Sequence, residues 1–224
     1  MDWAAIGLSL RLSFWTTFIL LILGLPIAHW LTFSPRRWKV VVEAIVALPI
    51  VLPPTVLGFY VLIAIGPRSP VGRFYQQLTG QLLPFSFRGL LIASVLYSLP
   101  FAVQPFASAF KLVDRRLIEA SWCLGISQFE TFWRVIIPLS TPGIVAGMVL
   151  SFAHTMGEFG VVLMVGGNLP GITRTISISI YDDVQALNYN LAGQTSLLLL
   201  CFSFVVLVIT YGLQRRVSTG WPTT

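Results

Sequence analysis

Charge is what this chain has least of. Only 22 of its 224 residues are Asp, Glu, Lys or Arg, where soluble domains carry roughly a quarter and a patch-free surface needs about 25–35%. That shortage excludes a soluble globular fold and points to a protein dissolved in a bilayer. Cysteine is scarcer still. Cys123 lies in a polar, amphipathic stretch and Cys201 in a distant apolar run, which argues against a disulfide framework and leaves both as small packing residues. His29 and His154 fall in different apolar stretches, and no H-E-x-x-H or Cys/His ligand spacing occurs, so no metal site is expected. The two lysines, Lys39 and Lys111, stand outside any G-x-x-x-x-G-K-[ST] loop, so the chain has no P-loop for hydrolysing ATP alone. A G-x-S-x-G elbow is missing as well. No catalytic residue and no cofactor of its own is expected.

What the chain does have is long apolar runs. A helix needs about 20 apolar residues to cross a bilayer, and charge-free stretches of that order occupy 12–31, 44–65, 89–110, 135–157 and 195–213. The expected architecture is one all-α membrane domain over 1–224, with spans at about 10–31, 42–65, 89–110, 136–163 and 194–213. The first run is too long, and its flanks are wrong, for a cleaved signal peptide. Prolines and glycines punctuate these spans, among them Pro26, Pro49, Pro53, Pro54, Pro100, Pro105, Pro138, Pro142, Gly143 and Gly147. They read either as kinks that improve packing or as hinges around a solute path.

The net charge of +6 forms no basic face for nucleic acid. With the N-terminus outside, the inner segments hold Arg36, Arg37, Lys39, Lys111, Arg115, Arg116, Arg134, Arg215 and Arg216, and the outer ones hold Arg11, Arg68, Arg73, Arg88 and Arg174. Nine against five favours N-out, C-in.

One insert, at about 112–135, is charged. Ile118, Trp122, Ile126, Phe129, Phe132, Trp133 and Ile136 recur at helical steps, and Gly125 falls where a turn between two short helices would fit. Such a segment either lies on the membrane surface or is presented to a groove in a soluble partner.

Glu119-Ala120-Ser121, then Gly125, then Val135-Ile136-Ile137-Pro138 resemble the EAA motif of ABC importer permeases, E-A-A, three residues, G, nine residues, I-x-L-P. Ser, Val and Ile are the departures, and every spacing agrees. Residues 49–60 (PIVLPPTVLGFY) and 151–178, beginning SFAHTMGEFG, resemble the molybdate branch of that family and, less closely, its sulfate branch. The resemblance runs from about 10 to 213. It implies a type I importer fold, a cytoplasmic coupling helix with Glu119, Ala120, Ser121, Gly125 and Pro138 at the ATPase contact, and location in a bacterial or archaeal inner membrane. It also implies two permease copies, two ABC ATPase subunits that bind ATP and Mg, and an extracytoplasmic molybdate-binding protein. The imported solute would be molybdate and tungstate, with sulfate or another oxyanion as the alternative.

Ser151, His154, Thr155 and Glu158 share one helix face, and a carboxylate at membrane depth faces the bundle interior or a wet cavity. Glu158 would repel a dianion. A structural role, pairing with backbone amides or hydroxyls of a neighbouring span or across the dimer, is preferred for it over a gate. Thr55, Ser94, Ser98, Ser151 and Thr155 are candidates to line a path with neutral donors, although each hydroxyl can equally bond its own i−4 carbonyl. A secondary carrier would show internal repeats, and none is visible. A membrane scaffold would leave the polar faces unexplained.

Overall fold

The computed structural model describes residues 1–218, and the expected tail beyond them lies outside the described residues. Helices α1 (Trp3–Phe33), α2 (Lys39–Val51), α3 (Pro54–Ile65), α4 (Pro70–Thr79), α5 (Phe87–Lys111), α6 (Arg115–Cys123), α7 (Gln128–Thr131), α8 (Ile137–Gly157), α9 (Gly160–Gly166), α10 (Ile176–Gln185) and α11 (Tyr189–Ser218) follow in order, with a π-helical turn at Phe132–Ile136 before α8. Short polar residues start them. Asp2 accepts from the Ala5 amide at 3.0 Å, Ser69 from Gly72 at 2.9 Å and Ser86 from Gly89 at 3.2 Å, each satisfying an amide that has no partner within its helix.

Four helices are long and apolar enough to cross a membrane: Trp3–Phe33, Phe87–Lys111, Gln128–Gly157 and Tyr189–Gly212. The second expected span, 42–65, is not one helix. It breaks between α2 and α3 with a bend of 115°. A residue before proline is pushed out of the α region by the proline ring, and Pro53-Pro54 does this twice in succession: Leu52 has ψ 138° and Pro53 ψ 135°. The fourth span also ends earlier than expected. It ends at Gly157, Glu158 is extended at ψ 134°, and the chain resumes as the separate α9. Elsewhere proline does not interrupt: α1 runs through Pro26, α2 through Pro49, α5 through Pro100 and Pro105, and α8 through Pro142.

Helices α1, α5 and α8 form the core. Phe106 of α5 is fully buried between Gly24 of α1 and Gly147 of α8, where an added Cβ would stand 3.1 and 2.7 Å from its ring. One turn along, a Cβ on Gly143 would stand 2.3 Å from that of Ala109. Gly143, Gly147, Ser151 and Thr155 therefore make a small-residue stripe that lets α8 approach α5 closely. These glycines pack and do not bend the helix. Half-helices α3 and α9 pair in the same manner: Gly58 faces Met164 and Val161, and Gly160 faces Pro54.

At the end where α1 begins, Arg174 Nε donates to Asn168 (2.7 Å), Asn168 donates to both oxygens of Asp182 (2.7 and 2.9 Å), and the Ile176 amide donates to Ser9 Oγ (2.8 Å). The charged insert lies at the opposite end. Cys123 and Cys201 are both exposed, contrary to the packing role expected of them, because each points away from the core.

Candidate functional site

The insert folds into two short helices that meet at a glycine. Asp114 Oδ1 accepts from the Arg116 amide (2.9 Å) to start α6, and Ser127 Oγ accepts from the Glu130 amide (3.2 Å) to start α7. Gly125 between them has φ +81°, a left-handed conformation that costs a side-chain-bearing residue about 1–2 kcal/mol. The closing hydrogen bonds, Gly125 N–H to Trp122 O (2.9 Å) and Ile126 N–H to Ser121 O (3.1 Å), use up the last carbonyls of α6.

Ser121 is the buried member of the Glu-Ala-Ser triplet. Its hydroxyl donates to Ile118 O (2.7 Å) and lies 2.8 Å from Thr131 Oγ1, which is itself buried. Because the Ser121 proton goes to the carbonyl, Thr131 supplies the proton between the hydroxyls, and α6 is tied to α7. Glu119 and Ala120 are exposed, and Glu119 pairs with Arg115 at 2.9 Å. The apolar stripe divides. Ile118 and Ile136 are buried, whereas Leu117, Trp122, Leu124, Phe129 and Trp133 remain exposed. Pro138 stands in the first turn of α8, and its missing N–H coincides with the π-helical turn just before it. Helix α7, the π turn and α8 follow without a gap.

The polar residues of α8 meet those of α5. Ser98 Oγ lies 2.9 Å from both His154 Nδ1 and Thr155 Oγ1, and His154 stacks on Phe101 with ring centroids 3.8 Å apart. Ser151 and Thr155 also donate to the i−4 carbonyls of Gly147 (2.8 Å) and Ser151 (2.9 Å). Ser94, Ser98, Ser151, Thr155 and Glu158 are all buried within this one chain, while Thr55 is exposed in the first turn of α3. Glu158, at the break between α8 and α9, has no hydrogen-bond partner for either oxygen among the described residues, and Ser94 Oγ has none. Ser94 on α5 is the hydroxyl that faces Glu158, short of hydrogen-bond geometry, and no amide or hydroxyl among the described residues completes the pairing expected of it.

Residues 12–220 match the family described as binding-protein-dependent transport system inner membrane component. The chain belongs to that family. It is a multi-pass inner-membrane protein. It is 48% identical over 98% of its length to the molybdenum transport system permease protein ModB of Azotobacter vinelandii, of which it covers 96%. It is 34% identical over 82% of its length to ModB of Escherichia coli (strain K12), covering 80% of that protein, and 32% identical over 92% to the probable sulfate transport system permease protein cysT of Prototheca wickerhamii, covering 80%. The same fold occurs in a bacterial alginate ABC transporter (TM-score 0.73, 18% identity, 95% of this chain and 78% of that one). It recurs in the methionine ABC transporter MetNI (TM-score 0.69, 17% identity, 95% and 94%). This family member therefore has the type I importer permease fold.

Three features were not singled out from the sequence. The network of Asn168, Arg174 and Asp182, with Asp2 4.0 Å from Arg174, had one signal, since Arg174 is the sole Lys or Arg between Arg134 and Arg215. The small-residue stripe was visible as Gly143-x3-Gly147-x3-Ser151 but read as punctuation. Ser9, which receives the Ile176 amide across the fold, had no local signal.

Proposed function

We propose that the chain is the permease subunit of an ATP-driven importer of molybdate and tungstate. It would work as two copies with two ABC ATPase subunits, which bind ATP and Mg, and an extracytoplasmic molybdate-binding protein. The carrying observation is 48% identity, over nearly the full length of both chains, to a molybdenum permease. On this reading the chain catalyses nothing itself, its N-terminus is outside, and the insert end faces the cytoplasm.

Glu119, Ala120 and the exposed apolar side chains around Gly125 would meet the ATPase, with Ser121 holding the two helices as one unit. Motion of that unit reaches the membrane because α7 continues through the π turn into α8. Helix α8 is locked to α5 by the glycine stripe and the Ser98 hydroxyl, and α5 to α1 through Phe106, so these three helices would tilt together. The break at Pro53-Pro54 and the break at Glu158 leave α3 and α9 free to follow a different course. ATP-driven closure of the partner would thus shift the chain between outward and inward access. Neutral donors suit an anion that must leave. Of the path candidates, Thr55 is exposed to contribute one, whereas Ser94, Ser98, Ser151 and Thr155 are buried within a single chain and would line a path only where α5 and α8 part.

The test is uptake by vesicles holding the chain with its ATPase and binding protein. Molybdate and tungstate uptake should require ATP and exceed sulfate uptake. Equal or greater sulfate uptake would favour the second reading, which the 32% identity to a sulfate permease keeps open. ATP-independent flux of all three would end the importer reading.

A further inference from the structure

At the insert end, a cavity of about 440 Å³ opens between the last turns of α1 and α5 and the α6–α7 segment. That is within the size range of small-molecule sites. Two cations line it, Lys111 and Arg115, together with the neutral donors His29 and Gln128, and no carboxylate does so among the described residues. Thr32 and Thr131 add hydroxyls, and the rest of the wall is apolar, with Ile118 and Trp122 prominent.

Lys111 has no ion-pair partner within 4.0 Å among the described residues, whereas Arg115 is shared with Glu119, which lies outside the lining. Lys111 also borders a second cavity of about 270 Å³, where Glu43 and Lys39 stand. A cation with no ion-pair partner among the described residues, in a pocket that joins polar donors to an apolar wall, is the complement of a phosphate attached to an apolar body. Basic pockets between helices at a membrane surface receive such groups. We propose that this cavity binds a phosphate-type anion, supplied by an anionic phospholipid headgroup or by free phosphate. An occupant would touch both the span ends and the α6–α7 segment, so its presence would tune how firmly the ATPase-facing segment is held. The site rests on the assembly proposed above only for the choice of complex to purify.

The complex of this chain with its ATPase and binding protein is placed in phosphatidylcholine nanodiscs containing phosphatidylglycerol as the minor lipid. It is then extracted, and retained lipid is counted by native mass spectrometry. A second arm uses phosphatidylcholine alone with radiolabelled inorganic phosphate. Phosphatidylglycerol should be retained in preference to phosphatidylcholine, and Lys111→Gln should lower that retention about five-fold, the effect of one cation near a membrane surface. Lys111→Arg should keep it, as should Arg68→Gln at the other end. Phosphate binding in the second arm that Lys111→Gln abolishes would identify the free anion as the source. Binding of neither probe overturns the proposal. So does unchanged retention in an assembled Lys111→Gln complex, which would mean that Lys111 is committed to Glu43. If Lys111→Gln fails to assemble, Gln128→Leu removes a neutral donor from the same wall, and unchanged retention there overturns the proposal equally. Lipid counting does not depend on transport, so failure of the importer reading would leave the result legible.

Discussion

Replacing Gly143 by Ala places a methyl carbon 2.3 Å from the Ala109 methyl, whereas carbon atoms are most comfortable about 3.5–4.0 Å apart. Helices α5 and α8 must then part by more than about 1 Å. Overpacking of this kind costs about 1–3 kcal/mol. The parting would also stretch the 2.9 Å contacts of Ser98 further up the same interface beyond useful hydrogen-bond length. A net loss of about 2 kcal/mol corresponds to a fall in Tm of about 4–8 °C for a domain of this size. Thermal unfolding of the detergent-solubilised permease, followed by size exclusion, would measure it. Gly7→Ala is the control. A Cβ there meets nothing within 4 Å, and alanine is the better helix former, so Tm should hold or rise. The decisive arm is Gly143→Ala with Ala109→Gly, which moves the methyl from one helix to the other and should recover more than half of the loss. If Gly143→Ala is no worse than Gly7→Ala, or if Ala109→Gly fails to rescue it, the close approach of α5 and α8 is wrong.

Gly125→Ala meets no steric obstacle but must hold φ near +81°, at about 1–2 kcal/mol. Gly125→Asn tolerates that conformation. Co-purification with the ATPase should fall for Ala, and further for Asp, while Asn is spared; equal loss in all three would detach the effect from the turn. Ser121→Ala leaves buried Thr131 without its partner, at about 1–3 kcal/mol. Amides of 115–131 should exchange hydrogen faster, with the rest of the chain unchanged. Glu158→Gln removes the capacity for charge where no partner is found among the described residues, so Tm should hold or rise. A marked fall would reveal a charged partner outside the chain.

Much of the layout was legible along the chain. Four of the five apolar runs became single long helices because hydrophobic length is a property of contiguous residues. The turn at Gly125 and the break at Pro53-Pro54 follow from restrictions on single backbone units, although the expected uninterrupted span at 42–65 underweighted the second proline. The polar face of Ser151, His154, Thr155 and Glu158 was readable from helical spacing. That it faced inward followed from the cost of a carboxylate in lipid, but its cover by α5 did not, because spacing says which residues share a face and not which helix covers it.

The sequence by itself therefore determined that this is a multi-pass membrane protein with one charged insert between its apolar runs. Scarcity of charge and motif spacing are both local quantities, needing no knowledge of neighbours. Only the tertiary structure decided that Gly143 and Gly147 are contact surfaces, that Ser98 joins α5 to α8, and that the fourth span stops at Gly157 with no proline to stop it. It alone left Lys111 beside a cavity with no ion-pair partner among the described residues. Each of these depends on the residue standing opposite, often far away in the chain, and close packing makes that choice only when the helices come together.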